Sequence, residues 1–153
     1  MTSVLVVCVG NRLVGDDGVG PAVFDALTDF PLPENVSLTL LETRGIGLLD
    51  ELDGQSLLAV VDAVRFGTPP GTLHVLNGEE LASAARMPVT SHDIALTEAL
   101  AVGERLFPER MPSEVIFIGV EGKEFSLLGA SLSPEVEAAV PRVIETLTAR
   151  LPR

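Results

Sequence analysis

Four side chains combine an acid–base or metal-ligating type with a place at the end or start of an expected element: Asp16, Asp17, Asp62 and His92. Asp16 and Asp17 lie in the stretch Gly10-Asn11-Arg12-Leu13-Val14-Gly15-Asp16-Asp17-Gly18-Val19-Gly20, directly after the apolar run Val4–Val9. Glycine loses more backbone freedom on folding than any other residue, so four in one loop signal positive φ angles or a close approach by something. Gly10 and Gly15 have the spacing of a phosphate-binding loop, but carboxylates stand where that loop needs Lys and Ser/Thr. The G-x-G-x-x-G order of a dinucleotide loop is missing as well. One Asp at a helix start is explained by capping, whereas a pair exceeds what a cap needs and suits protons or cations. Asp62 closes a second apolar run, Leu57–Val61, and His92 follows Ser91, a suitable helix cap. Taken singly, a strand-ending Asp forms a turn and a helix-start His faces solvent. Taken together, two or three carboxylates and one imidazole make a mixed oxygen and nitrogen donor set for a divalent transition ion such as nickel or zinc. Without a thiolate, that set holds its ion only moderately.

Other nucleophiles are poorly placed. Cys8 falls inside the first apolar run with no basic neighbour to lower its pKa, and no G-x-S-x-G elbow is present. Hydrolysis through an acyl-enzyme is therefore disfavoured. His74, inside an apolar strand pattern, reads as structural. The 153 residues carry 10 Lys+Arg against 22 Asp+Glu, a net charge of −12, with six Phe and no Trp or Tyr. Such a surface neither neutralises phosphates nor offers many stacking platforms, which argues against a nucleic-acid partner. No apolar run approaches the ~20 residues of a membrane span, so no membrane insertion is expected. One cysteine permits no intrachain disulfide, and no leader pattern stands near Met1, so the expected compartment is the cytoplasm.

The elements that must position these residues alternate. Strands are expected at Val4–Val9, Val36–Leu41, Leu57–Asp62, Thr72–Leu76 and Val115–Val120. Helices are expected at about Pro21–Thr28, near Leu48–Leu52, at about Ser91–Phe107 and after Ser133, where Pro134 suits the first turn and Pro141 should introduce a kink. Continuous Val/Leu/Ile strands separated by helices indicate a mainly parallel, about five-stranded sheet covered on both faces. The expected fold is a three-layer α/β/α sandwich, built as a single domain over residues 1–153. In such sheets function sits beyond the carboxyl ends of the strands.

Gly10-Asn11 after the first strand, Asp16-Asp17-Gly18-Val19-Gly20, Val61-Asp62-Ala63, Pro70-Gly71-Thr72 and Ser91-His92 together resemble the hydrogenase maturation proteases. The likeness runs from Val4 to the final helix. It implies a three-layer α/β endopeptidase that removes the C-terminal extension of a nickel–iron hydrogenase large-subunit precursor after nickel insertion. It also implies a metal-contacting triad, Asp17, Asp62 and His92, with Asp16 beside it among the catalytic groups. The nickel belongs, on this reading, to the precursor and is contacted transiently, and the protease is a monomer or weak homo-oligomer. Where the family often has Gly-Gly-Thr-x-x-Gly, this chain reads Leu41-Glu42-Thr43-Arg44-Gly45-Ile46-Gly47, so Glu42 and Arg44 bring charge to a loop that lines the substrate groove. The metal could polarise a carbonyl or acidify water, or a carboxylate could act as general base while the metal positions the bond. A rival from another class is a receiver domain, with an acidic pair after strand one, an Asp ending strand three and Lys123 after strand five. That reading leaves His92 and the four-glycine loop unexplained. A third is a docking module whose acidic surface only holds a partner.

Overall fold

The computed structural model describes residues 2–42, 46–85, 91–126, 128–129 and 131–152, with backbone only at 46, 85 and 91–95. Five strands form one sheet: β1 (Val4–Val9), β2 (Val36–Leu41), β3 (Leu57–Val64), β4 (Leu73–Asn77) and β5 (Glu114–Glu121). Their order is β2-β1-β3-β5-β4. Pairing is parallel except between β4 and β5. Among the described residues four α-helices accompany the sheet: α1 (Val19–Thr28), α2 (Gly78–Ala85), α3 (Ser91–Leu106) and α4 (Pro134–Arg150).

The central strands are apolar at successive positions because both faces are covered. Val4, Val6 and Cys8 pack with Val19, Val23 and Leu27 of α1 and with Val136, Ala139, Val143 and Leu147 of α4. Leu5, Val7 and Val9 point the other way, onto Leu48, Leu49 and Leu52, Leu81 of α2 and Leu96 of α3. The alternation of side chains along a strand turns one continuous run into two cores, which gives the expected three-layer sandwich.

Some boundaries differ from the sequence reading. β3 does not stop at Asp62 but continues through Ala63 and Val64, which pair with Val120 and Glu121. Asp62 thus sits inside the strand, opposite Gly119. Helix α2 lies between β4 and α3, where no helix was expected. Its start is an Asn-x-x-Glu capping box: Asn77 Oδ1 accepts the Glu80 N–H at 2.8 Å and Glu80 accepts the Asn77 N–H at 3.1 Å. Helix α4 continues through Pro141. The Ser133 side chain, expected to cap α4, makes no cap hydrogen bond there and donates instead to Asp16.

The glycine loop is crowded by the chain's own carbonyls. A Cβ on Gly10, whose φ is +150°, would run into the Asp17 carbonyl oxygen, and one on Gly20 would run into that of Val9. These two glycines let the end of β1, the following turn and α1 fold tightly on one another, so the close approach signalled by the sequence is internal.

Candidate active site

Asp17 and Asp62 arrive at one edge of the sheet by different routes. β1 and β3 are parallel neighbours with Cys8 level with Val61, so Asp62 stands one step on, at the end of β1 where the glycine loop begins. That loop folds back as a 3-10 turn, Gly15–Gly18, lying against β3. Asp17 is 6% exposed and Asp62 3%. The backbone holds one oxygen of each: Asp17 Oδ2 accepts the Asn11 N–H at 2.9 Å, and Asp62 Oδ1 accepts the Ala63 N–H at 2.8 Å.

By strand alternation Asp62 shares a face with Leu58, Val60 and Val64, which belong to the core beneath α2 and α3. Helix α3 ends at the amino edge of the sheet, where Gly103 packs on Met111 shortly before β5 begins. Its first turn, containing His92, is therefore directed toward the carboxyl edge. The side chain of His92 lies outside the described residues. Among the described residues no group of three His, Cys, Asp or Glu side chains could hold a metal.

Asp16 has a different environment from its neighbour. It is fully buried, and its Oδ2 accepts the N–H groups of Lys123 at 2.7 Å and Glu124 at 2.9 Å and the Ser133 hydroxyl at 2.7 Å. Its Oδ1 accepts the Ser133 N–H at 2.7 Å, while its own N–H donates to the Glu124 carbonyl at 2.8 Å. Burial opposes ionisation, but the hydrogen bonds from Ser133, Glu124 and Lys123 outweigh it and hold this carboxyl below its ordinary range. Four donors occupy the carboxylate. It ties the glycine loop to the connection between β5 and α4.

A fourth buried carboxylate at this edge was not anticipated. Glu121, 3% exposed at the end of β5, accepts the Phe66 N–H at 3.0 and 3.1 Å, the Gly67 N–H at 3.3 Å and the Thr68 hydroxyl at 2.7 Å. His74 Nε2 lies 2.9 Å from the Thr68 hydroxyl and 3.3 Å from Glu121, which fits the structural reading of that histidine. Glu121 gathers the loop that follows β3 and so braces the strand end beyond Asp62. The signal for it was an acidic residue closing an apolar strand, the same signal that singled out Asp62. Exposed Leu13 lies in the glycine loop, which is joined to exposed Leu128 by the Val14–Leu128 bridge and by the Gly129 N–H donating to the Leu13 carbonyl.

A family model described as hydrogenase maturation protease matches residues 22–150. The chain belongs to the hydrogenase maturation protease family. Its activity is accordingly that of a peptidase, which removes the receiver and docking-module readings. It is 33% identical over 148 residues to a Methanocaldococcus jannaschii protein assigned by name to the same family, covering 94% of this chain and 93% of that one. With the hydrogenase 2 maturation protease of Escherichia coli it shares 29% identity, covering 97% and 90% of the two chains. The solved hydrogenase-maturating endopeptidase HybD of Escherichia coli superposes with a TM-score of 0.83 at 26% identity, over 97% of this chain and 91% of that one. Relatives named hydrogenase expression/formation proteins are longer, and this family member spans 64 to 66% of three of them.

Two residues are expected to be dispensable for peptidase activity. Cys8 is wholly buried in β1, and burial pushes its thiol up to about 12, so no thiolate is at hand near neutral pH. Cys8→Ala should retain the wild-type kcat/KM, and a folded variant that is inactive would restore a cysteine mechanism. The Lys123 ammonium is 3.4 Å from Glu135 on α4 and largely exposed. Lys123→Ala removes only that exposed pair and keeps the backbone N–H that serves Asp16, so processing rate and melting temperature should both stay at wild-type values.

Proposed function

We propose that this peptidase removes the C-terminal extension of a nickel–iron hydrogenase large-subunit precursor after nickel insertion. In this reading Asp17, Asp62 and His92 contact the nickel carried by the precursor. The observation that supports it most is the burial of two carboxylates from separate elements, Asp17 and Asp62, at one carboxyl edge of a hydrogenase maturation protease fold. Two carboxylates and a neutral imidazole balance a 2+ charge with hard and borderline donors. Lacking thiolate, they should let go of a processed product, while soft ligands in the precursor retain the metal.

The chain's own groups divide the work. Asp17 and Asp62 are held by the Asn11 and Ala63 N–H groups, so their orientation is set before substrate arrives. Either carboxylate suits the task of general base on a water beside the scissile carbonyl. Asp16 and Glu121 do not react; they lock the two loops on which the site stands. Exposed Leu13, in the glycine loop that carries Asp17, and exposed Leu128, bridged to it, offer the precursor an apolar contact. We place this activity in the cytoplasm, in a single-domain protein acting as a monomer or weak homo-oligomer; no helix of the described residues is long and apolar enough to cross a membrane.

The test uses protease stripped of metal by a chelator. It should shorten a nickel-loaded precursor and leave a nickel-free one intact. If the stripped protein is inactive on both and recovers on nickel-free precursor when zinc is added, the ion is a resident cofactor and the sensing mechanism is wrong.

A further inference from the structure

The opposite edge of the sheet carries a concave surface that the peptidase site does not use. A groove of about 520 Å³ opens between α2, the second half of α3 and the segment entering β5. Its floor is apolar: Leu81 is fully buried, and Leu100, Met111 and Val115 are half-buried around it. Its rim is acidic, with exposed Glu79 on the first turn of α2, Glu104 on α3 and Glu114 at the start of β5. Among the described residues that line it there is no lysine or arginine. Glu114 is five residues along β5 from Gly119, the partner of Asp62, which at ~3.3 Å per residue separates groove and site by roughly 16 Å.

Charge and apolarity together select the occupant. A neutral or acidic apolar segment would cover three carboxylates and return nothing for their lost hydration. A second copy of this chain also carries a charge of −12, so its approach to an acidic rim is opposed. Lysine and arginine side chains flanking an apolar anchor fit both features, because their stems cover apolar surface while their heads reach the rim carboxylates. We propose that this groove docks a basic, apolar segment of the protein substrate, holding its body while the chain to be cut reaches the carboxyl edge. The inference rests on the peptidase reading for the identity of the partner, and on the groove alone for the chemistry of the segment.

The experiment follows backbone amide shifts of the full-length ¹⁵N-labelled protein titrated with an amphipathic leucine–lysine octapeptide or its leucine–glutamate counterpart. The lysine peptide should shift the amides around Leu81, Leu100, Met111 and Val115, and the glutamate peptide should leave them unmoved. The triple variant E79K/E104K/E114K should weaken that binding about tenfold or more, as expected for reversing three exposed charges. The milder E104Q/E114Q should weaken it less and keep the wild-type spectrum if the triple variant folds poorly. In precursor processing, both variants should raise KM and leave kcat unchanged. Shifts located elsewhere, equal binding of the two peptides, or an unchanged KM would each overturn the proposal. A wild-type protein that fails to process any precursor would sink the functional reading, while the titration would still decide the groove.

Discussion

Asp62→Asn is expected to lower kcat/KM for precursor processing by about 10²–10³, the loss typical of removing one preorganised electrostatic group from a reacting site. The substitution nearly preserves shape, and the Ala63 N–H can still find the amide oxygen, so the melting temperature should change little. Asp17→Asn should behave alike, because its carboxylate is equally buried and held by Asn11. The diagnostic measurement is association with nickel-loaded and nickel-free precursor compared side by side. The variants should lose the preference for the loaded form. If they keep that preference and lose only turnover, the carboxylates serve as bases on water and do not contact the metal. If they keep full activity, the site has been assigned to the wrong residues.

Asp16→Ala should be the most destabilising single substitution at this edge. It strips the acceptor from three backbone N–H groups, those of Lys123, Glu124 and Ser133, in a position with no exposure. Leaving such donors buried and unpaired costs about 3–5 kcal/mol in sum, or roughly 10–15 °C of melting temperature for a chain of this size. Asp16→Asn keeps the volume but replaces one acceptor oxygen by an NH₂ donor facing N–H groups, so it should recover only part of the loss. The acid limb of stability tests the same contact. Because hydrogen bonding lowers the folded-state pKa of Asp16, its contribution is fully present above the unfolded value of about 3.9 and is lost as pH falls through the folded value. The gap in melting temperature between wild type and Asp16→Asn should therefore be constant near neutrality and narrow below about pH 4. A gap independent of pH would mean that the ionised carboxylate is not what holds these loops.

Adjacent Asp16 and Asp17 mark where local sequence stops being informative. Both sit in one glycine-rich turn, and no residue type nearby tells them apart in the sequence. Their environments diverge because the donors to Asp16 come from positions 107 to 117 residues further along the chain, which meet it only after β5 and α4 have docked. Glu121 is a similar case, since its partners Phe66, Gly67 and Thr68 lie more than fifty residues upstream. Ser133 shows how a local rule can be overridden. A serine before a proline-initiated helix has the pattern of a cap, but the Ser133 hydroxyl donates to the buried Asp16 carboxylate and its oxygen accepts no N–H of the first turn. Helix α2 was legible in principle from Asn77-x-x-Glu80, a signal masked by the short length of the element and its weak apolar pattern.

Sequence alone determined what depends on near neighbours and on strand period. The runs Val4–Val9 and Leu57–Val61 could only be central strands buried on both faces, and their carboxyl ends placed Asp17 and Asp62 at one edge as soon as the two strands were parallel. The ordered motifs identified the family for the same reason, because each is a short local constraint. The tertiary structure decided that β4 turns back antiparallel beside β5, since residues 65–72 carry no crossover helix that could return it parallel. It also decided that the Asp16 carboxylate is consumed by the fold. An acidic side chain has the same chemistry wherever it stands; Asp16 braces because four donors converge on it, and those donors are brought together only by the packed sheet.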